Sequence, residues 1–351
     1  MKSVERRGCL GGDCAFYFAY QFFRPVNYNL AMTVFVFGAG STLGALSCTS
    51  QCPPVTKAFG KCLPKEKFPH LNAVACHLKQ DLTTLGLEDL WSCIDYRAKF
   101  SEKRRHGMLA DPEWLDGAVW ELKRAILSIY GQQCDRAART ISRRSGTLPS
   151  LLKKVQSGDT IISFNYDTVI ERLARVMKLR LRHSASRLRT AVQFAKPHGS
   201  VSWCVSELLP CVPGPPLIDS LPLDSVLCGN STTEPLVLGA VPIKSELIWE
   251  VQKCYNASQV FELVMQQWRV LIEGLRDADV VVVVGYSFPK EDHHGRFLFM
   301  EGIRQRQKRL KRVEYYNLNR DSEPAIKEIF GCTVVWKGPV KSWSKKDPAS
   351  L

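Results

Sequence analysis

The absences narrow the chain first. Its most aromatic stretch, CAFYFAYQFF at residues 14–23, is too short to span a bilayer. No small-residue cleavage site follows that stretch, so a secretory signal peptide is not expected. Thirteen cysteines are scattered along 351 residues without a repeated C-x-x-C. The odd count, the length and the missing export signal point to reduced thiols in a cytoplasmic setting and away from a disulfide scaffold. After the first apolar run the glycines fall at Gly38, Gly40 and Gly44 as G-x-G-x-x-x-G, not as the dinucleotide G-x-G-x-x-G. No second strand ending in an acid follows about 20 residues on, so an ordinary dehydrogenase unit is not expected. Acidic residues are in deficit, 34 against 48 Lys and Arg, for a net charge of +14. That balance suits an anionic partner (nucleotide, nucleic acid or acidic surface) or a plain solvated basic face.

What is present organises around residues 33–44, TVFVFGAGSTLG. Residues 33–37 are β-branched or aromatic and read as a buried strand. Gly38 and Gly40 end it, and Ser41 is expected to cap the helix that follows. A strand running into glycines and a helix N-terminus offers N–H groups and a positive dipole end, so Gly38, Ala39, Gly40 and Ser41 read as a pyrophosphate cradle. Residues 1–32 read as a leader or mis-assigned start, with Met32 directly before the strand, and residues 1–31 are expected to be dispensable for folding.

Residues 47–69, rich in Cys, Pro and Lys, read as loop. From Leu71 to Val155 the period becomes helical. Leu78, Leu82 and Leu85 form one stripe, and Leu115, Val119, Leu122, Ile126 and Ile129 another. A helical subdomain, residues 70–157, is therefore expected between the first two strands of the sheet. Further strands are predicted at 160–164, 192–195, 236–241, 279–284, 313–318 and, at one edge, 332–336, with an amphipathic helix at 260–275. Five consecutive valines at 280–284 suit a parallel strand covered on both faces. Thr168 and Glu171 have capping-box spacing. Residues 210–235 read as an exposed loop, and the chain after Lys337 as a frayed polar tail. Strands alternating with helices predict an α/β fold: a Rossmann-like, mostly parallel sheet with helices on both faces.

In such sheets ligands bind beyond the carboxyl ends of the strands. Five predicted exits carry Gly38–Ser41, Asn165-Tyr166-Asp167, His198-Gly199, Gly285-Tyr286-Ser287 and Asn319-Arg320-Asp321. Together they suit a nucleotide: glycine loops for phosphates, Asn and Asp for ribose hydroxyls, a His for a proton. Asp167 also reads as a helix cap. The neighbours His293 and His294 point apart on either a helix or a strand and make a poor metal chelate.

The motifs GAGS, FNYDT, KPHGS, GYSFP with a following DHH, and LNRD resemble the sirtuin-like superfamily, and within it the bacterial NAD-consuming branch linked to antiviral defence. The resemblance covers residues 34–330. It implies Asn165 and His198 as the catalytic pair and the glycine loop on the pyrophosphate. It also implies Gly285 and Ser287 lining the NAD site, and Asn319 at the adenosine ribose. Deacylases of the superfamily carry G-I-P-x-F-R after the glycine loop and four zinc cysteines in two C-x-x-C pairs after the histidine. Here residues 46–54 read LSCTSQCPP, and Cys204, Cys211 and Cys228 lack that spacing. No zinc is expected, and NAD hydrolysis is favoured over lysine deacylation.

The chemistry also follows from the residues. Loss of nicotinamide leaves an oxocarbenium-like sugar, so an enzyme must fix the ribose and place a water. Asn165 can hold a hydroxyl or the water, and a histidine can take a proton at neutral pH. Asp167 is the candidate negative charge. The rivals are a non-catalytic NAD or ADP-ribose sensor of the same fold, then a deacylase, and last a nucleic-acid module. The basic stretches at 172–189 and 304–312 lack interleaved aromatics and are expected to bind nucleic acid non-specifically if at all. No membrane partner is expected; a homo-oligomer or an effector partner stays open.

Overall fold

A computed structural model describes residues 31–46, 56–99, 112–131, 134–183, 191–205, 234–237, 257–290 and 292–343. Eleven strands are described: β1 Thr33–Phe37, β2 Ser145–Gly146, β3 Thr160–Ser163, β4 Leu181–Arg182, β5 Val192–Ala195, β6 Gly199–Val205, β7 Glu234–Val237, β8 Val280–Val284, β9 Arg312–Tyr316, β10 Val334–Trp336 and β11 Ser342–Trp343. Seven of them form one sheet in the order β10-β9-β8-β1-β3-β5-β4. Every pairing in it is parallel. The fold is thus the α/β, Rossmann-like one expected.

β1 lies at the centre in full register with β8, Thr33 against Val280 through Phe37 against Val284. Side chains alternate across the sheet, as the period of two requires. Val34, Val36, Val281 and Val283 enter one core, with the helices Ala257–Asp277, His293–Arg304 and Glu323–Phe330. Phe35, Phe37, Val282 and Val284 enter the other, with Ala39–Leu46, Cys134–Ser142, Thr147–Leu152 and Val169–Val176. Burial on both faces is why these strands read as unbroken apolar runs.

The helical insertion does separate β1 from β3, but it divides in two. The described residues of 56–99 and 112–131 build their own core around Phe59, Leu71, Leu90, Leu122 and Ile126, and that core closes over Tyr166 and Val201 at the sheet's carboxyl edge. The helices at 134–152 cover the sheet instead. Several expectations need correction. The loop at 47–69 contains 3-10 turns, Thr56–Cys62 and Lys65–Lys67, which bury Phe59 and Leu63. Leu78, Leu82 and Leu85 share no helix: Pro69–His77 ends before them and Leu82 lies in a separate turn. β7, begun at Glu234, pairs antiparallel with β6 outside the main sheet. The tail is not frayed as far as Trp343. β11 pairs with β2, and Lys341 exchanges two bonds with Thr147, through its carbonyl and its N–H. The readings placed on residues 1–30, 47–55, 210–233 and 238–241 lie outside the described residues. Among the described residues no helix is long and apolar enough to cross a membrane.

The chain leaves β1 toward β3 and leaves β8 toward β9, on the opposite side, so the sheet's direction switches between β1 and β8. At that seam the backbones interlock. Gly38 N–H donates to Val284 O, Gly40 N–H to Gly285 O, and Gly285 N–H to Tyr316 O. Gly285 has φ +63°, and a Cβ there would lie 2.1 Å from Ser41 N. Gly158 also has a positive φ, +97°, but nothing stands within 4 Å of its missing Cβ. Gly158→Ala is therefore expected to cost roughly 1–3 kcal/mol from backbone strain alone. Gly285→Ala is expected to cost on the order of 4 kcal/mol or more. Urea melts of both variants check this; equal losses would remove the close approach as the reason for Gly285.

Candidate functional site

β3 and β5 are neighbours, and their exits carry the two residues that motif reasoning singled out. Asn165 follows β3 through Phe164, whose N–H is bonded to Phe37 O of β1. The Asn165 side chain is 5% exposed, and neither its Nδ2 nor its Oδ1 has a hydrogen-bond partner. A buried amide left so carries a desolvation cost of about 1–3 kcal/mol per group. Natural folds retain such a cost where a ligand or water completes the bonds.

His198 sits in the turn between β5 and β6. Gly199, at φ +82°, closes that turn by donating to Lys196 O. The turn is held from several sides. Lys196 N–H donates to Gln267 Oε1, and Trp268 Nε1 donates to Pro197 O, both from the helix Ala257–Asp277. Val201 N–H donates to Tyr166 O, tying the turn to the exit of β3. The His198 ring stands edge-on to Phe164, centroids 4.9 Å apart. Its Nε2 lies 3.1 Å from Asp292 Oδ2, an ion-pair distance without hydrogen-bond alignment, with the two side chains 12% and 8% exposed. Asp292 Oδ2 also accepts from the Tyr286 hydroxyl at 2.6 Å, and its Oδ1 accepts from Gly295 N–H at 3.0 Å.

The exits are joined from beneath by Lys196. Its side chain is 0% exposed, and Nζ lies 2.7 Å from Glu171 Oε1. It donates as well to the main-chain carbonyls of Asp167 and Tyr166. Sequence reading passed over this lysine because lysines are rarely buried; its place directly after an apolar strand, before Pro197, is the available signal. Glu171 is thereby committed, and the expected capping box does not form. Thr168 makes no side-chain cap bond; its Oγ1 accepts from Arg172 Nε instead.

Asp167 takes the capping role: its Oδ1 accepts from Val169 N–H. Burial pushes its carboxyl up to about 6, against the pull of Lys196. The carboxylate at ion-pair distance from His198 is that of Asp292, which motif reading saw only as a neighbour of two histidines. The first of these, His293, opens the helix His293–Arg304, and the ring of His294 packs on Trp268 at 4.0 Å.

The glycine loop differs from the expected cradle. The helix begins at Ala39, so Ser41 lies inside its first turn and is not its cap. Ser41 Oγ donates back to Gly38 O at 2.7 Å, and the side chain is fully buried. The N–H groups of Gly38, Gly40 and Ser41 are all bonded within the protein. Ala39 is the exposed residue of the loop. Gly285 serves the seam described above, while Ser287 stands exposed beyond β8. Asn319, beyond β9, is exposed too, and its amide is engaged with the Asp321 carboxylate. His198, half-buried, thus meets the buried pair Asp292 and Tyr286, Asn165 is buried at the neighbouring strand exit, and Ala39, Ser287 and Asn319 are exposed at the exits of β1, β8 and β9.

Comparison with protein families finds none that matches this chain. Comparison with curated proteins finds no match either.

Two outcomes are expected of the buried charges. Lys196→Met strands the Glu171 carboxylate and is expected to cost about 3–5 kcal/mol. Adding Glu171→Leu should recover part of the loss; a double variant no better than the single would show that Lys196 does not act through Glu171. Asp167 holds its proton more tightly folded than unfolded. Its contribution to stability therefore falls as pH rises from about 4 to about 6. Asp167→Asn keeps an acceptor for Val169 and removes that fall, so its melting temperature should gain on wild type between pH 4 and pH 7. A constant gap across that range would contradict the shift.

Proposed function

We propose that the protein hydrolyses NAD+ to nicotinamide and ADP-ribose, with Asn165 and His198 at the reacting ribose. The observation that carries this reading is the Asn165 amide, buried at a strand exit with both polar atoms unpartnered. An amide offers a donor and an acceptor together, which suits a ribose hydroxyl or an attacking water. The order of motifs, GAGS to FNYDT to KPHGS to GYSFP, adds the resemblance to NAD-consuming sirtuin-like domains. The α/β fold fits it.

In the reaction the bond between C1′ and the nicotinamide nitrogen breaks, and its electron pair neutralises the pyridinium. The ribose is left as an oxocarbenium-like centre. Water adds to C1′ and loses a proton, for which His198 is the acceptor. Asn165 fixes the hydroxyl or the water, so that approach is already oriented. The nearby carboxylate of Asp292 favours the imidazolium that proton transfer creates. The rest of the dinucleotide would run past the exposed exits at Ala39, Ser287 and Asn319. With three loop N–H groups already bonded, the pyrophosphate would meet the surface of the glycine loop and not its interior. A cytoplasmic site of action and a role in antiviral defence belong to the same proposal.

NAD+ turnover by wild type, His198→Ala and Asn165→Ala is the test, with melting curves alongside. Loss of the proton acceptor is expected to lower the rate roughly 100- to 10,000-fold. Loss of Asn165 should cost on the order of 100-fold, with stability unchanged or raised, because an unpaired buried amide is removed. Turnover surviving both changes would end the assignment. NAD+ binding lost in Asn165→Ala, with no turnover by wild type, would instead identify a sensor.

A further inference from the structure

Behind His198 stands a group of residues that nothing in the proposed reaction touches directly. Asp292 is fixed before it meets the histidine. Its Oδ1 accepts from Gly295 N–H at the start of the helix His293–Arg304, and its Oδ2 accepts from the Tyr286 hydroxyl at 2.6 Å. That same Oδ2 lies 3.1 Å from His198 Nε2. Tyr286 is in turn wedged in an aromatic stack, centroid 4.3 Å from Phe164 and 4.7 Å from Phe288. Burial and the Asp292 carboxylate hold its hydroxyl well above its usual pKa, so it stays a donor.

The helix makes room for this pair. A Cβ on Gly295 would lie 2.6 Å from Asp292 Oδ2 and 2.7 Å from the Tyr286 oxygen. Glycine in a helix costs up to about 1 kcal/mol relative to alanine. An ordinary cap needs only Oδ1 on the Gly295 N–H. The space at Gly295 accommodates the second oxygen, the one that faces Tyr286 and His198.

We infer that Asp292 and Tyr286 are a positioning pair for His198, holding its ring and setting its proton affinity in opposite directions. The carboxylate favours the imidazolium; the tyrosine hydrogen bond draws charge off the shared oxygen and moderates that pull. The inference rests on the reading of His198 as a proton acceptor, but its consequences can be read on the imidazole itself.

Other described groups stand near this histidine. Tyr166 lies 6.3 Å away, ring to ring, and Phe164 is apolar. Lys196, two residues back, is engaged by Glu171 and by the Asp167 and Tyr166 carbonyls. His294 packs on Trp268, whose indole holds Pro197. Arg296, which faces Tyr286 from the helix, is paired with Glu328.

The test is a pH titration of the histidine ring nitrogens by NMR on the full chain, with the His198 signal assigned by its loss in His198→Gln. Asp292→Asn keeps the Oδ1 acceptor for Gly295 but removes the charge. The proton affinity of His198 is expected to fall about tenfold or more. Tyr286→Phe leaves the charge and removes the hydrogen bond to it, so the affinity should rise roughly two- to threefold. Opposite shifts from adjacent residues are not produced by loosened packing. Any other pattern overturns the pairing. Should Asp292→Asn not fold, Tyr286→Phe decides alone: a rise supports the pairing and any other result overturns it. If NAD+ is turned over, the acid limb of the rate profile should move to lower pH in Asp292→Asn, because a weaker base stays unprotonated further down. If NAD+ is not turned over but the titrations shift as expected, the positioning pair stands and the assignment of the substrate falls.

Discussion

One ammonium group with no exposed surface holds the rim of this sheet together. Lys196 leaves β5 and reaches under the exit of β3, where it meets Glu171, Asp167 O and Tyr166 O. Removing a lysine from water is costly unless every donor finds an acceptor. Meeting that demand fixes three pieces of chain at once: the FNYD loop, the first turn of the helix Val169–Val176, and the turn that carries His198. Gln267 and Trp268 complete the frame by holding Lys196 N–H and Pro197 O. The backbone at His198 and Asn165 is consequently placed by this frame, and the His198 side chain meets Asp292 besides. That leaves the Asn165 amide without a partner in the protein.

A second constraint closes the adjoining seam. The switch point of a doubly wound sheet ordinarily opens a crevice for a ligand. Here Gly38, Gly40 and Gly285 bring β1 and β8 into direct backbone contact beyond their ends. The glycines serve close packing of chain on chain, and Ser41 turns inward to Gly38 O. The buried Asn165 amide and the half-buried His198 ring lie beyond β3 and β5 instead, where the core of the insertion closes over Tyr166 and Val201.

Much of the fold was legible because its signals are local. Each of β1, β3, β5 and β8 is a short, largely apolar segment buried on both faces, and each ends at a polar or glycine residue that the rim uses. The 3.6-residue stripe from Leu115 to Ile126 marked a real helix. What stayed hidden depends on partners distant in sequence. β6 and β7 exist through each other, across residues 206–233. The Thr168–Glu171 spacing suggested a capping box, but Lys196, 25 residues on, claims the glutamate. Asp292 read only as a neighbour of two histidines; it caps the helix His293–Arg304, and its second oxygen meets His198 only because the parallel strands β5 and β8 both end at the carboxyl edge of the sheet. The tail beyond Lys337 is polar, and its pairing with Ser145 and Gly146 has no pattern that composition could reveal.

The central question at this rim is whether the Asn165 amide awaits a ligand. A crystal structure of the protein with a non-hydrolysable NAD+ analogue tests this most directly. The expected result places a ribose hydroxyl of the analogue, or a water it orders, within about 3 Å of Asn165 Nδ2 or Oδ1, with the sugar on the His198 side of the rim. An analogue bound elsewhere on the chain, with Asn165 satisfied by a neighbouring protein group, would contradict it.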